Sequence, residues 1–207
     1  MTELMRELAD QIVRLQSTLD IEIEKRREAL GWKVKDRFVE FEHGVVAGHR
    51  QLRISVARYV AQTSLATILT APVIYSLIFP LLLLDAWVSL YQAICFRVYR
   101  IAPVRRRDFI AFDRGHLSYL NWIEALNCAF CAYGNGVIGY AGEIGSRTEQ
   151  YWCPIKHAIR ISDPHKRYQQ FLEYGDAEGY RKRLDTFREA LKADEASAKQ
   201  TRRNAFP

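Results

Sequence analysis

The sequence predicts a mainly α, membrane-anchored helical protein with an N-terminal amphipathic helix, an apolar hairpin or span, and a small helical C-terminal domain. Three observations predict it. Apolar residues near the start recur at helical spacing, the stretch Tyr59–Phe96 has Asp85 as its one charge, and helical spacing resumes beyond it. The chain has 207 residues, 49% hydrophobic and 26% charged, which is too apolar for a disordered chain. Its 11 Gly and 6 Pro are too few for a collagen, and 4 Cys are too sparse for a disulfide-stapled secreted module. Charge and hydropathy divide the chain into 1–58, 59–96, 97–192 and a polar tail, 193–207, expected to fray.

In the first segment eleven Lys and Arg nearly balance ten Asp and Glu. Leu4, Leu8, Ile12, Leu15 and Leu19 step by four, four, three and four, which is one face of an α-helix. The stripe is as narrow as a coiled-coil seam. It suits a protein partner or self-association as well as packing on its own domain. No Pro precedes Pro72 and the first Gly is Gly31, which predicts one or two long helices. The start carries both signs of charge and no early apolar core, unlike a secretory signal.

The second segment opens with Tyr59–Leu84, 26 residues without a charge. As a helix this run would be ~39 Å long, against a hydrocarbon core of about 30 Å. The competing reading is the buried core helix of a soluble protein. The full stretch to Phe96 is too long for one straight span and slightly short for two spans with a turn. Arg50, Arg53 and Arg58 precede it, and Arg97, Arg100, Arg105, Arg106 and Arg107 follow it. Taken literally, the positive-inside rule puts both flanks, and both termini, on the cytoplasmic side. Pro72 and Pro80 offer break points, so a hairpin bent near Pro80 satisfies these facts. A single span with residues 85–100 as an interfacial helix is its rival. Asp85 is expected at headgroup level, because a carboxylate deep in hydrocarbon is costly.

The third segment has nineteen basic and thirteen acidic residues. Arg105-Arg106-Arg107, just beyond the apolar stretch, suits anionic membrane lipid at about 1 kcal/mol per basic residue. Nucleic acid is the other partner that a pI near 9.2 suggests. It is disfavoured because the basic residues cluster beside the apolar stretch. Leu117, Leu120, Ile123, Leu126 and Phe130 predict an amphipathic helix, with Asp113 placed to cap it. Gly136–Arg147, Tyr168–Glu173 and Gly179–Lys192 read as further helices, the last from the spacing of Leu184, Phe187 and Leu191.

The candidate chemistry lies in this segment. Cys128-x2-Cys131 is followed by Cys153-x3-His157, and two thiolates plus a Cys–His pair can complete a tetrahedral Cys3His site. The gap of 21 residues between Cys131 and Cys153 is near the upper end of zinc-ribbon spacing. Zinc is the expected metal, an iron–sulfur cluster the alternative, and a thiol redox pair or ordinary helix cysteines the remaining readings. The site requires the chain to reverse near Gly145-Ser146. A continuous helix from Gly136 would leave Cys153 ~25 Å from the pair. Cys95 reads as a small buried hydrophobe.

Gly134-x-Gly136-x-x-Gly139 is a literal dinucleotide fingerprint but lacks a preceding strand pattern. Gly136, Gly139, Gly142 and Gly145 read better as a bare face for close helix contact. His116, His157 and His165 with Glu124, Glu143 and Glu149 form a weaker carboxylate-bridged metal set. Arg160, His165, Lys166 and Arg167 form a basic knot able to hold a phosphate or simply face solvent. No Ser nucleophile elbow, P-loop, HExxH or EF-hand occurs.

The leading expectation is a membrane-anchored metal- or thiolate-binding protein with its Cys3His site on the cytoplasmic side. The alternatives are a membrane scaffold with a partner-binding N-terminal helix and an interfacial enzyme acting on a lipid or amphiphile.

Overall fold

The apolar stretch folds as one helical run, Leu65–Tyr99, of 35 residues. The structure, a computed structural model, describes residues 7, 11, 14–15, 17–19, 21–23, 25–26, 32–35, 38–41, 43–162 and 164–205. The chain divides into two units, Met1–Thr63 with Asp113–Cys128, and Ser64–Phe112 with Ala129–Pro207.

In the first unit the described residues between 7 and 26 are helical and exposed. Leu4, Leu8 and Ile12 of the predicted stripe lie outside the described residues, whereas Leu15 and Leu19 are helical and exposed. The long-helix expectation fails at residues 32–41. There β1 (Trp32–Lys35) and β2 (Phe38–Phe41) pair antiparallel, with Trp32 opposite Phe41 and Lys35 opposite Phe38. Trp32-Lys33-Val34-Lys35 alternates apolar and charged residues with a period of two, and aromatic and β-branched residues favour strands. Helices α1 (His43–Gln51) and α2 (Val56–Gln62) follow. Ser55 caps α2 by accepting the Arg58 N–H.

The helix expected from Leu117 begins later. Asp113–His116 is a 3-10 turn, and α6 (Trp122–Trp152) starts after Asn121. Asn121 Oδ1 accepts the N–H groups of Ile123 and Glu124 at 3.0 and 3.1 Å, and Glu124 Oε2 accepts the Asn121 N–H at 2.9 Å. This reciprocal capping box satisfies the orphan donors of the first turn.

In the second unit the apolar run comprises α3 (Leu65–Ser76), α4 (Ile78–Tyr91), a π-helical turn (Gln92–Phe96) and α5 (Arg97–Tyr99). Pro80 has no N–H for the Ser76 carbonyl and its ring crowds that turn, which explains the break at Leu77. Leu77 bonds back to Ile74, and Leu81 N–H to Leu77 O restarts the helix. The two prolines therefore loosen the run without reversing it, and the predicted hairpin does not form.

The reversal comes at Arg100, the one described non-glycine residue with a left-handed backbone (φ 57°). Ile101 N–H bonds Phe96 O at 2.8 Å, and both side chains sit in one buried cluster with Tyr140, Ile144 and Leu191. That is a Schellman closure with its apolar contact. Residues 101–112 then run back as a mostly extended strap between α4 and α6. Val104 exchanges two hydrogen bonds with Gln92, and Arg147 Nη1 donates to Ala102 O at 2.6 Å. Ile110 lies against Tyr133 and Val137, with Ile78 and Leu81 packed on the same cluster.

Helix α6 runs parallel to α3–α4. Tyr75 meets Phe130, Ser89 meets Tyr140, Tyr91 meets Thr148, and Tyr99 stacks on Tyr151. Its glycines admit the strap more than a helix. A Cβ on Gly136 would lie 2.7 Å from Ile110 Cγ1 and 2.8 Å from Phe109 O, and one on Gly139 would lie 3.2 Å from Phe109 Cδ1. Gly134 faces Leu81, while Gly142 and Gly145 face open space. The unit is completed by a second cluster, Tyr168, Phe171, Leu172 and Phe187, beneath α7 (Ala177–Ala205). Helix α7 is helical through Ala205, so the frayed tail expected from residue 193 is not seen.

Candidate functional site

Asp85 is the one charge in the apolar stretch, and it is buried at 8% exposure. The face of α4 that turns inward carries Ile78, Leu81, Asp85 and Ser89, at helical spacing. Arg106 Nε donates to both carboxylate oxygens at 2.9 and 3.0 Å, and its Nη2 donates to Oδ2 at 2.6 Å. Tyr133 Oη donates to the same Oδ2 at 2.9 Å, and the guanidinium lies 5.9 Å from the Tyr133 ring centroid. One carboxylate thus joins α4, the strap and α6. The Arg106 side chain is 48% exposed against 11% for Asp85, so the cluster opens outward on its cationic side. Fork-on-carboxylate pairing is short, directional and charge-assisted. Asp85 has a protein partner taken from the arginine triplet that the sequence reading offered to lipid.

A second network lies further along α6. Arg147 Nε and Arg167 Nη2 both donate to Glu143 Oε1, at 2.8 and 3.1 Å. Burial pushes the Glu143 carboxyl up, but the hydrogen bonds from Arg147 and Arg167 outweigh it and hold the carboxyl below its ordinary range. Gln150 Oε1 accepts Arg167 Nη1 at 3.2 Å, and its Nε2 donates to Phe187 O at 3.0 Å. His165 Nε2 lies 2.8 Å from Glu149 Oε2. The basic knot is therefore partly spent on carboxylates, and these Glu residues hold protein side chains rather than a shared metal.

The predicted metal ligands are not brought together. Cys128 and Cys131 lie one turn apart on α6, and the helix continues to its end, where Cys153 N–H still bonds Glu149 O at 2.7 Å. The 22 steps from Cys131 to Cys153 correspond to ~33 Å of helix. His157 donates its backbone N–H to Tyr168 Oη at 2.7 Å and stacks its ring on Tyr168. Among the described residues no group of three or more His, Cys, Asp or Glu is placed to hold a metal ion. The reversal that the site required at Gly145-Ser146 is absent because Ser146 is buried inside the helix, its hydroxyl bonded to Glu143 O. The Gly134–Gly139 motif is likewise mid-helix, without the strand and turn that a pyrophosphate cradle needs.

Asp85 and Arg106 were open to detection, since a lone charge in an apolar run calls for a partner and an arginine triplet follows. Tyr133 carried no such signal. Comparison with known proteins finds no matching family model, no matching curated protein and no matching solved structure.

Proposed function

We propose that this chain is a membrane-anchored interaction protein, held in the bilayer by Leu65–Leu84 and offering its N-terminal helix to a partner. The observation that carries the reading is the bareness of the apolar run. Among its large side chains, Leu65, Leu69, Val73, Leu77, Phe79 and Leu83 are all exposed, and none of its most apolar window is buried within the protein. A core helix of a soluble protein would be covered. With Ile68, Ile74, Leu82 and Leu84 also exposed, burial in lipid of about half of each side chain is worth on the order of 10 kcal/mol. That equals a typical domain's whole stability.

Twenty residues at ~1.5 Å each match a hydrocarbon core of about 30 Å, which sets Asp85 and the arginine triplet at one boundary. The heavier basic cluster argues for the cytoplasmic side at the Asp85 end of the span. A helical run without reversal gives no reason to return both termini to one side. The exposed Leu15, Leu19, Ile21 and Ile23 on helical residues are the apolar surface available to a partner.

The test is membrane extraction combined with truncation. Carbonate washing should leave the protein in the pellet and detergent should release it; release by salt alone overturns the anchor. Deleting residues 1–26 should preserve anchoring but shrink the detergent-extracted complex by size-exclusion light scattering. An unchanged size overturns the partner role of the N-terminal helix.

A further inference from the structure

Where the helical run ends, its π-helical turn, the left-handed Arg100 and the returning strap border a solvent-open pocket of about 380 Å³. Gln92, Phe96, Arg97, Arg100, Ile101 and Pro103 line it. The volume is at the lower end of that found for small-ligand sites. Its lining includes two arginines and no acidic residue.

Four other arginines of the same unit, Arg106, Arg147, Arg167 and Arg188, are already committed to carboxylates. The side chains of Arg97 and Arg100 make no hydrogen bond or ion pair with a described residue. Gln92 cannot serve as a loose ligand donor, because its amide is spent on Val104 and on Tyr140 Oη. It fixes the strap wall instead. The backbone adds a second observation. Arg100 holds a conformation that glycine adopts freely and that costs other residues roughly 1 kcal/mol or more. π-turns and such left-handed residues recur where a binding site is shaped.

We propose that this pocket binds a phosphoryl group, with Arg97 and Arg100 as its cationic donors. The guanidinium fork matches two phosphate oxygens at once, and two arginines lining one concave surface supply the charge for a phosphate mono- or diester. The group comes from an anionic lipid headgroup or from a soluble phosphate compound. The lipid source rests on the anchoring reading above; the phosphate chemistry does not.

The full chain in neutral detergent is titrated with inorganic phosphate and with glycerol 3-phosphate by calorimetry. Wild-type protein should bind, and Arg97→Ala and Arg100→Gly should each weaken binding by about tenfold or more. Arg100→Gly keeps the left-handed turn, so its melting temperature should not fall and its loss of binding reports the missing charge. Arg160→Ala, an exposed charge loss elsewhere, should bind as wild type does. Binding that is absent in wild type, or equal in all four proteins, overturns the proposal. Repeating the phosphate titration in phosphatidylcholine nanodiscs with and without phosphatidylglycerol separates the sources. Competition by phosphatidylglycerol identifies a headgroup, and its absence identifies a soluble ligand. If carbonate releases the protein from membranes, the anchor and the lipid source fall, while the detergent result still decides the phosphate site.

Discussion

Replacing Gly136 with Ala tests whether the strap lies on α6. The added methyl would sit 2.7 Å from Ile110 Cγ1, 2.8 Å from Phe109 O and 3.1 Å from Ile110 Cα. Ordinary carbon contacts lie at about 3.5–4.0 Å, so the neighbours must retreat by roughly 0.8 Å. A new Ile110 rotamer relieves only the first clash, because the other two are with backbone. Overpacking of this kind costs about 1–3 kcal/mol, while Gly→Ala in a helix returns about 1 kcal/mol. The upper part of the range applies here, leaving a net loss of about 1–2 kcal/mol. For a chain of this length that is a melting temperature lowered by about 2–8 °C. Gly142→Ala meets nothing within 4 Å and supplies the control. It should gain up to about 1 kcal/mol and melt higher by about 2–4 °C. The assay is thermal unfolding followed by circular dichroism in detergent. If both variants melt higher by the same amount, the strap does not occupy the groove and the packing argument is wrong.

Asp85→Asn should destabilise by about 1–2 kcal/mol, toward the low end for a charged hydrogen bond because half-exposed Arg106 can rehydrate. Combined with Arg106→Met it should cost less than the sum of the two single changes, and strict additivity would show that the pair is not coupled. Glu143, whose folded carboxyl lies below its ordinary value of 4.5, contributes stability that is complete above that pH and lost as pH falls through the folded value. A melting series from about pH 6 to about pH 3 should steepen in that window for wild type and flatten for Glu143→Gln, and equal slopes would contradict the assignment. Cobalt added to the reduced chain should give no four-ligand thiolate bands, since ~33 Å of helix separates Cys131 from Cys153. Such bands from a monomer would mean that α6 breaks.

The helical class, the long apolar run and the spacing of Phe187 and Leu191 were legible because each is a local pattern. Phe187 and Leu191 are buried, at 8% and 1% exposure. Helix boundaries were less so. The Asn121–Glu124 capping box was present in the sequence, but the apolar steps through Leu117 and Leu120 pointed upstream of it. Gly136, Gly139, Gly142 and Gly145 read as a bare face for close helix contact, although each lowers local helix propensity by about 1 kcal/mol. Tertiary contact overrides that at Gly134, Gly136 and Gly139, where Leu81 and the strap occupy the space a side chain would fill. The CxxC and Cys–His spacing was compatible with a metal, yet spacing along a chain does not fix distance when an unbroken helix intervenes. The Asp85–Arg106–Tyr133 cluster depended on a chain reversal at Arg100, and nothing in a lone arginine announces a left-handed turn.

The parallel course of α4 and α6 also imposes an order on synthesis. Arg106 follows Asp85 by 21 positions, whereas Tyr133 follows it by 48. At about 5–20 residues per second, the guanidinium is made roughly 1–5 s before the phenol. During that interval the strap has only α4 to lie on, through Gln92, Val104 and the new ion pair. Helix α6 is made after the strap, so no segment needs to be threaded beneath another, and the aspartate's counter-charge is synthesised before its phenol partner.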